Sequence, residues 1–225
     1  MTRLGPRATG RARTLAVVAL AVAAIAGARR LQADTPAPPA DRRVVVKGKS
    51  IHVLGSPQAR VVLVEFGDYQ CPFCRQYHDQ VFAQLRADYV DTGKIRYVVR
   101  DLPIPVHEYA FAAAEAARCA GAQNRFWPMR EALIAQSRTL APDGFAALAR
   151  SAGVSLAPFE ACRTARTFEP AIREDVTQAL AVGLDRTPSF VLGRMVADGV
   201  SGIVIVGARP YSFFRDKLEK ALHGS

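Results

Sequence analysis

Residues 61–78 read VVLVEFGDYQCPFCRQYH, and the two halves of that stretch decide the fold. Val61 to Phe66 is short, β-branched and almost continuously apolar, as a strand buried on both faces would be. From Pro72 the period changes, and Phe73, Tyr77, Val81, Phe82, Leu85 and Tyr89 recur at helical spacing. Ile95 to Val99 returns to strand. The spacing predicts a strand, helix, strand unit with Cys71 and Cys74 where the first strand passes into the helix.

On the C-terminal side, Val106 to Leu184 is Ala-rich and helical in period, with breaks expected at Gly121, Pro128, Pro142, Gly144, Gly153 and Pro158. Ser189 to Leu192 and Ile203 to Val206 are the next strands, with Gly193, Gly199 and Gly202 near the turn between them, and Pro210 opens a final helix. The order is βαβ, helices, ββα, an α/β chain with a helical insertion at about 106–184. No internal repeat is present, which excludes solenoids.

On the N-terminal side, Asp34 to Asp41 (DTPAPPAD) favours extended, unpaired backbone, so 29–42 reads as a linker and the folded domain as 43–225. Arg3, Arg7, Arg11 and Arg13 precede the uncharged run Thr14 to Ala28. As a helix that run reaches roughly 22 Å, short of a hydrocarbon core of about 30 Å. With Ala26, Gly27 and Ala28 at its end, 1–28 reads as a signal peptide cut near Ala28. Arg29 and Arg30 keep an uncleaved N-terminal anchor as the alternative. The expected location is the periplasm or another extracytoplasmic space. The net charge of +10 falls to +6 without the four leader arginines. The other cations are interspersed with Asp and Glu, so no nucleic-acid surface is expected.

The chemistry lies in the Cys-x-x-Cys spacing. At a helix start the first N–H groups lack partners and the macrodipole is positive, so a Cys71 thiolate is stabilised and its pKa falls. Pro72 suits the first helical position, and Cys74, one turn further in, is more shielded. A thiol of low pKa leaves faster and favours the reduced protein, the property of an oxidant. A structural bridge and half of a zinc site are the alternatives; zinc wants a second closely spaced pair, and Cys119 and Cys162 stand 43 positions apart. In an oxidising compartment those two are expected to pair with each other as a structural disulfide, two buried free thiols being the other reading.

Val64 to Cys74 (VEFGDYQCPFC), the helical middle, the Thr187-Pro188 step about 115 residues later and the tail GARPYSFFRDKLEKAL resemble the DsbA-like branch of thioredoxin-fold proteins, over roughly residues 44 to 222. The resemblance implies a thioredoxin fold with a central mixed sheet and thiol-disulfide exchange without a cofactor or metal. It makes Cys71 the nucleophile, Cys74 its resolving partner and Pro188 a cis-proline whose loop binds substrate backbone. Substrate contacts are expected at Thr187, Pro188, Phe73 and Pro72. Glu65 matches the buried acid behind the second cysteine, desolvated and able to take a proton from Cys74; an edge position facing solvent is its other reading. His78 shares a helical face with Cys74, close enough to tune that thiol, but reads rather as a surface or half-buried histidine, while Asp68 and Tyr69 precede the pair on the connecting loop and read as residues that shape substrate access or as ordinary exposed loop residues.

Family isomerases dimerise through an added N-terminal domain, for which the stretch between Ala33 and the first core strand is too short. A monomeric dithiol oxidase acting on exported proteins with free thiols is therefore expected, with a membrane or soluble redox partner that reoxidises Cys71 and Cys74. Two departures bear on this. Phe73 stands where strongly oxidising relatives carry histidine, and Arg186 where glycine is common. An envelope reductase and a non-catalytic thioredoxin-like binding or chaperone module are the alternatives.

Overall fold

The computed structural model describes residues 1–2, 42–48 and 52–224. The leader and nearly all of the linker lie outside them. The chain divides into two compact units, 1–37 and 38–225, and only the second is described in any length.

Six strands form one mixed sheet: β1 (Arg43–Lys47), β2 (Val53–Leu54), β3 (Val61–Gly67), β4 (Ile95–Asp101), β5 (Ser189–Val196) and β6 (Gly199–Val206), in the order β1-β6-β5-β3-β4-β2. Only β3 and β4 run parallel; every other pair is antiparallel. The expected mixed sheet is present, and two strands join it that the sequence reading leaves unplaced. β1 pairs with β6, Arg43 opposite Ile203, and β2 pairs with β4. Both gain their hydrogen bonds from partners far along the chain.

β3 reads as unbroken apolar sequence because both of its faces are covered. Val61 and Leu63 face a core shared with Tyr77, Tyr97, Phe190 and the helical insertion. Val62, Val64 and Phe66 face a second, smaller core with Val98, Val191 and Ala179.

The helix after β3 runs to Val90, as the spacing through Tyr89 indicates, but it is not regular. α1 (Pro72–Tyr77) and α2 (Ala83–Leu85) alternate with π-helical turns at His78–Phe82 and Arg86–Val90. The insertion consists of α3 (Ala110–Gly121), α4 (Phe126–Ala135), a 3₁₀ turn Pro142–Gly144, α5 (Phe145–Ser151), α6 (Leu156–Thr164) and α7 (Glu169–Ala181); α8 (Tyr211–His223) closes the fold. Pro128 and Pro158 do not break helices. Each is the third residue of one, in α4 and α6, where a missing N–H costs no intrahelical bond. Gly193 and Gly202 are not turn residues either. They oppose each other within the β5–β6 ladder, where a Cβ on either would strike the Ser201 or Leu192 carbonyl.

Under this architecture lies a buried charge cluster. Arg100 Nε donates to Asp175 at 2.6 Å, and Arg118 Nε donates to Asp101 at 2.5 Å. Arg118 also reaches Asp175, which ties β4 to α3 and α7 with two cations against two carboxylates. Desolvation pushes the Asp101 carboxyl up to about 6 against the pull of Arg118.

Candidate active site

Cys71 is the N-cap of α1, in extended backbone at φ −67° and ψ 121°, with Pro72 at the first helical position. Its carbonyl accepts the first helical bond from the Arg75 N–H at 3.1 Å, and its own N–H donates to Asp68 O at 3.2 Å. The sulfur therefore sits where the free N–H groups of the first turn converge. A hydrogen bond from the Cys74 thiol and the backbone N–H groups of Cys74 and Phe73 bring the Cys71 thiol down from 9.0 to about 6, against the opposing effect of burial. The Cys74 thiol is pushed up, first by burial, then by the Cys71 sulfur and by Glu65. Two thiols one turn apart thus differ in the direction of their shifts. Both are free in this structure.

Cys71 is only 4 % exposed, as little as Cys74. The loop before β5 covers it: the Cys71 thiol donates to Thr187 O at 3.4 Å, and the Thr187-Pro188 peptide bond is cis. Thr187 and Pro188 are both buried. Pro72 is exposed and Phe73 points outward, 59 % exposed, so its ring does not cover the Cys71 sulfur.

Glu65 is buried, at 2 % exposure, on the β3 face that carries the larger core. It is the buried acid of the sequence reading and not an edge residue facing solvent, and two donors hold it. Arg130 of α4 donates to Glu65 Oε2 at 2.6 Å, and the Tyr97 hydroxyl donates to the same oxygen at 2.5 Å. Arg130 escapes a reading by composition because arginine ordinarily marks a solvent face. Its spacing is the missed signal: Phe126, Met129, Arg130, Leu133 and Ile134 form one apolar stripe, and Arg130 stands inside it.

Asp68 and Tyr69 are buried too, at 3 % and 5 % exposure, and not the exposed loop residues of the sequence reading. The Asp68 N–H lies 3.4 Å from Cys74 Sγ. Its carboxylate accepts from the Gln70 N–H at 2.7 Å and the Ile104 N–H at 2.8 Å, and it lies 2.8 Å from His107 Nδ1. A loop carboxylate with three donors is held in place by satisfying backbone N–H groups that burial would otherwise leave unmatched. His78 is half-buried, stacks on Phe82 with centroids 5.4 Å apart, and is lowered chiefly by burial.

Cys119 of α3 and Cys162 of α6 are bridged, with Cα atoms 5.8 Å apart. Glu115 Oε1 lies 3.8 Å from Cys119 Sγ. With both sulfurs in the bridge, this trio offers no thiolate to a metal.

The family described as thioredoxin matches residues 47–202, most of the chain. The chain belongs to the thioredoxin family. Among solved structures, alpha-DsbA1 of Wolbachia pipientis is similar with a TM-score of 0.68 at 20% identity, covering 76% of this chain and 89% of that one. Oxidised BdbD of Bacillus subtilis gives 0.67 at 23% identity, covering 80% and 99%. At these identities the likeness is one of fold. A thioredoxin-like oxidoreductase from Silicibacter pomeroyi is 28% identical, covers 77% and 92%, and has a TM-score of 0.60. A putative protein-disulfide oxidoreductase of Rickettsia conorii is 37% identical over 84 residues, 37% of this chain and 30% of its own. A protein of Salinispora arenicola named as a Na(+)/H(+) antiporter is 35% identical over 175 residues, covering 77% of this chain. The chain spans about a quarter of that relative's length, 26%.

Proposed function

We propose that this thioredoxin-family protein is an exported dithiol oxidase that introduces disulfides into exported proteins through Cys71 and Cys74. The observation that carries the reading is the Cys71 sulfur, drawn down to about 6 at a helix start beneath the Thr187-Pro188 loop. In the oxidised protein a substrate thiolate attacks Cys71 Sγ, the bond to Cys74 breaks, and its electron pair goes to Cys74, which takes up a proton. A second substrate thiolate then attacks the substrate sulfur and displaces Cys71 as thiolate. The substrate leaves with a disulfide and the protein with two thiols. Because the Cys71 thiolate exists only in the reduced protein, its stabilisation favours reduction of the protein and oxidation of the client. Clients are proteins with free thiols, and a membrane or soluble redox partner reoxidises the pair. Exposed Pro72 and Phe73, with the buried Thr187-Pro188 loop beside them, are the residues clients meet, and the bridge between Cys119 and Cys162 is a structural staple.

Export rests on the pattern of residues 1–28, which lie outside the described residues but for the first two; among the described residues no helix is long and apolar enough to cross a membrane. The antiporter name belongs to a longer protein and is not carried here. Phe73 favours a second reading, an envelope reductase, because an outward phenylalanine adds no donor to the Cys71 thiolate. Redox equilibrium with glutathione separates the two. An equilibrium lying toward reduced protein in a glutathione buffer supports the oxidase; one lying toward oxidised protein supports the reductase. A Cys71 that fails to react with thiol reagents at neutral pH would leave only a binding module.

A further inference from the structure

Between the sheet and α8 lies a cavity of about 500 Å³. Leu192 of β5, Ile203 of β6 and Arg43 of β1 stand opposite one another across three strands, and so point to one face of the sheet. Arg194, two residues beyond Leu192, shares that face. Lys217 and Lys220 line the cavity from α8, three positions apart and therefore on one side of the helix. An apolar floor thus lies under four cations drawn from three separate stretches of chain. No carboxylate lines the cavity among the described residues. The acids of α8 are engaged elsewhere: Asp216 pairs with Arg215, and Glu219 accepts from the Tyr89 hydroxyl at 2.6 Å. Arg194 Nη2 donates to the Gly224 carbonyl at 3.1 Å, which ties that guanidinium to the end of the helix, and Lys217 lies 5.8 Å from the ring centre of Phe213. Arg43 and Lys220 are exposed, in no ion pair among the described residues.

Cations near a helix C-terminus complement its macrodipole, which accounts for Lys217, Lys220 and Arg194. It does not account for Arg43, which β1 adds from the far side of the sheet. Four like charges around one cavity repel one another, and an anion between them converts that repulsion into attraction. We propose that this cavity is a binding site for a phosphate group, carried by a soluble phosphate compound or by a lipid headgroup, and held by Arg43, Arg194, Lys217 and Lys220. The guanidinium forks of the two arginines match the oxygens of a phosphate, and the two ammonium groups add charge from the helix side. Leu192 and Ile203 receive the apolar body to which the phosphate is attached. The site is separate from the thiols. Arg194 follows Pro188 by six positions along extended chain, roughly 20 Å, so the inference stands whether or not Cys71 and Cys74 act as an oxidase.

The test is calorimetric titration of the full chain with pyrophosphate at constant ionic strength, with chloride as the control. The wild type should bind pyrophosphate, and Arg43→Gln combined with Arg194→Gln should bind it roughly tenfold more weakly or worse, the loss expected for charged hydrogen bonds. Arg150→Gln combined with Arg215→Gln removes the same net charge from exposed positions outside the cavity and should bind as the wild type does. Exchange with glutathione at the thiols should be the same in all three proteins. If the cavity variant does not fold, Lys220→Gln, a single exposed change near the end of α8, decides by a loss of several-fold. Vesicles then separate the two sources. Displacement of pyrophosphate by phosphatidylglycerol vesicles and not by phosphatidylcholine vesicles assigns a lipid headgroup, and no displacement assigns a soluble phosphate compound. Wild type that binds pyrophosphate no better than chloride would overturn the proposal, as would affinity that survives loss of the cavity cations or that falls equally in the control pair.

Discussion

Two cysteine pairs share this domain, and their surroundings assign them opposite behaviour. Cys71 and Cys74 sit three positions apart where β3 enters a helix, with N–H donors converging on one sulfur and desolvation acting on the other. Cys119 and Cys162 sit 43 positions apart on two insertion helices, joined to each other. The first pair has a built-in difference between its sulfurs, which in the proposed reaction makes exchange directional. The second closes a long loop, which restricts the unfolded chain. On the proposed reading, spacing and neighbours, and not the sulfur itself, separate a reactive pair from a staple.

The comparison breaks most visibly by deletion. Cys74→Ala should accumulate mixed disulfides with client proteins through Cys71, and Cys71→Ala should accumulate none; non-reducing gels with mass spectrometry read the difference. Equal trapping by both variants would reverse the roles. Next in size is the staple. Replacing Cys119 and Cys162 together with Ala should lower unfolding free energy by about 4 kcal/mol, the chain-entropy figure for a loop of this length, with client exchange largely kept. Denaturant titration measures it. In wild type, graded reduction followed by alkylation should open Cys71–Cys74 before Cys119–Cys162, and simultaneous opening would erase the distinction.

A third effect concerns pH. Alkylation of the reduced protein should rise with a midpoint near the Cys71 value of about 6. The folded value lies below the ordinary 9.0, so the thiolate's contribution to the stability of the reduced fold is fully present above about 9 and is lost as pH falls through about 6. A midpoint near 9 would mean that neither the Cys74 thiol nor the helix start acts on that sulfur. The smallest effect is expected from Phe73→His. A histidine between the cysteines would favour thiolate and raise the redox potential, but position 73 points outward, so the shift should be a few tenths of a pKa unit at most. A shift of a whole unit would place the new ring over Cys71.

What the sequence made legible was local. The CPFC step lies on one strand and one helix, so period and composition are enough to find it. Residues that depend on distant partners were not legible. Arg43 to Lys47 becomes a strand through pairing with residues about 160 positions away, and Gly193 looks like a turn until Gly202 is set opposite it. Asp68 looks exposed because its three donors come from its own loop and from 104–107. The acid at position 65 was visible, but not the cation that answers it, since Arg130 belongs to another layer of the fold.

That pairing across layers bears on how such proteins are recombined. The insertion is not a removable cassette, because α4 carries the counter-charge for an acid rooted in the central strand. A chimera that takes the sheet from one parent and the insertion from another inherits a buried carboxylate or a buried guanidinium alone unless positions 65 and 130 travel together, and an unmatched buried charge of that kind typically costs about 3–5 kcal/mol.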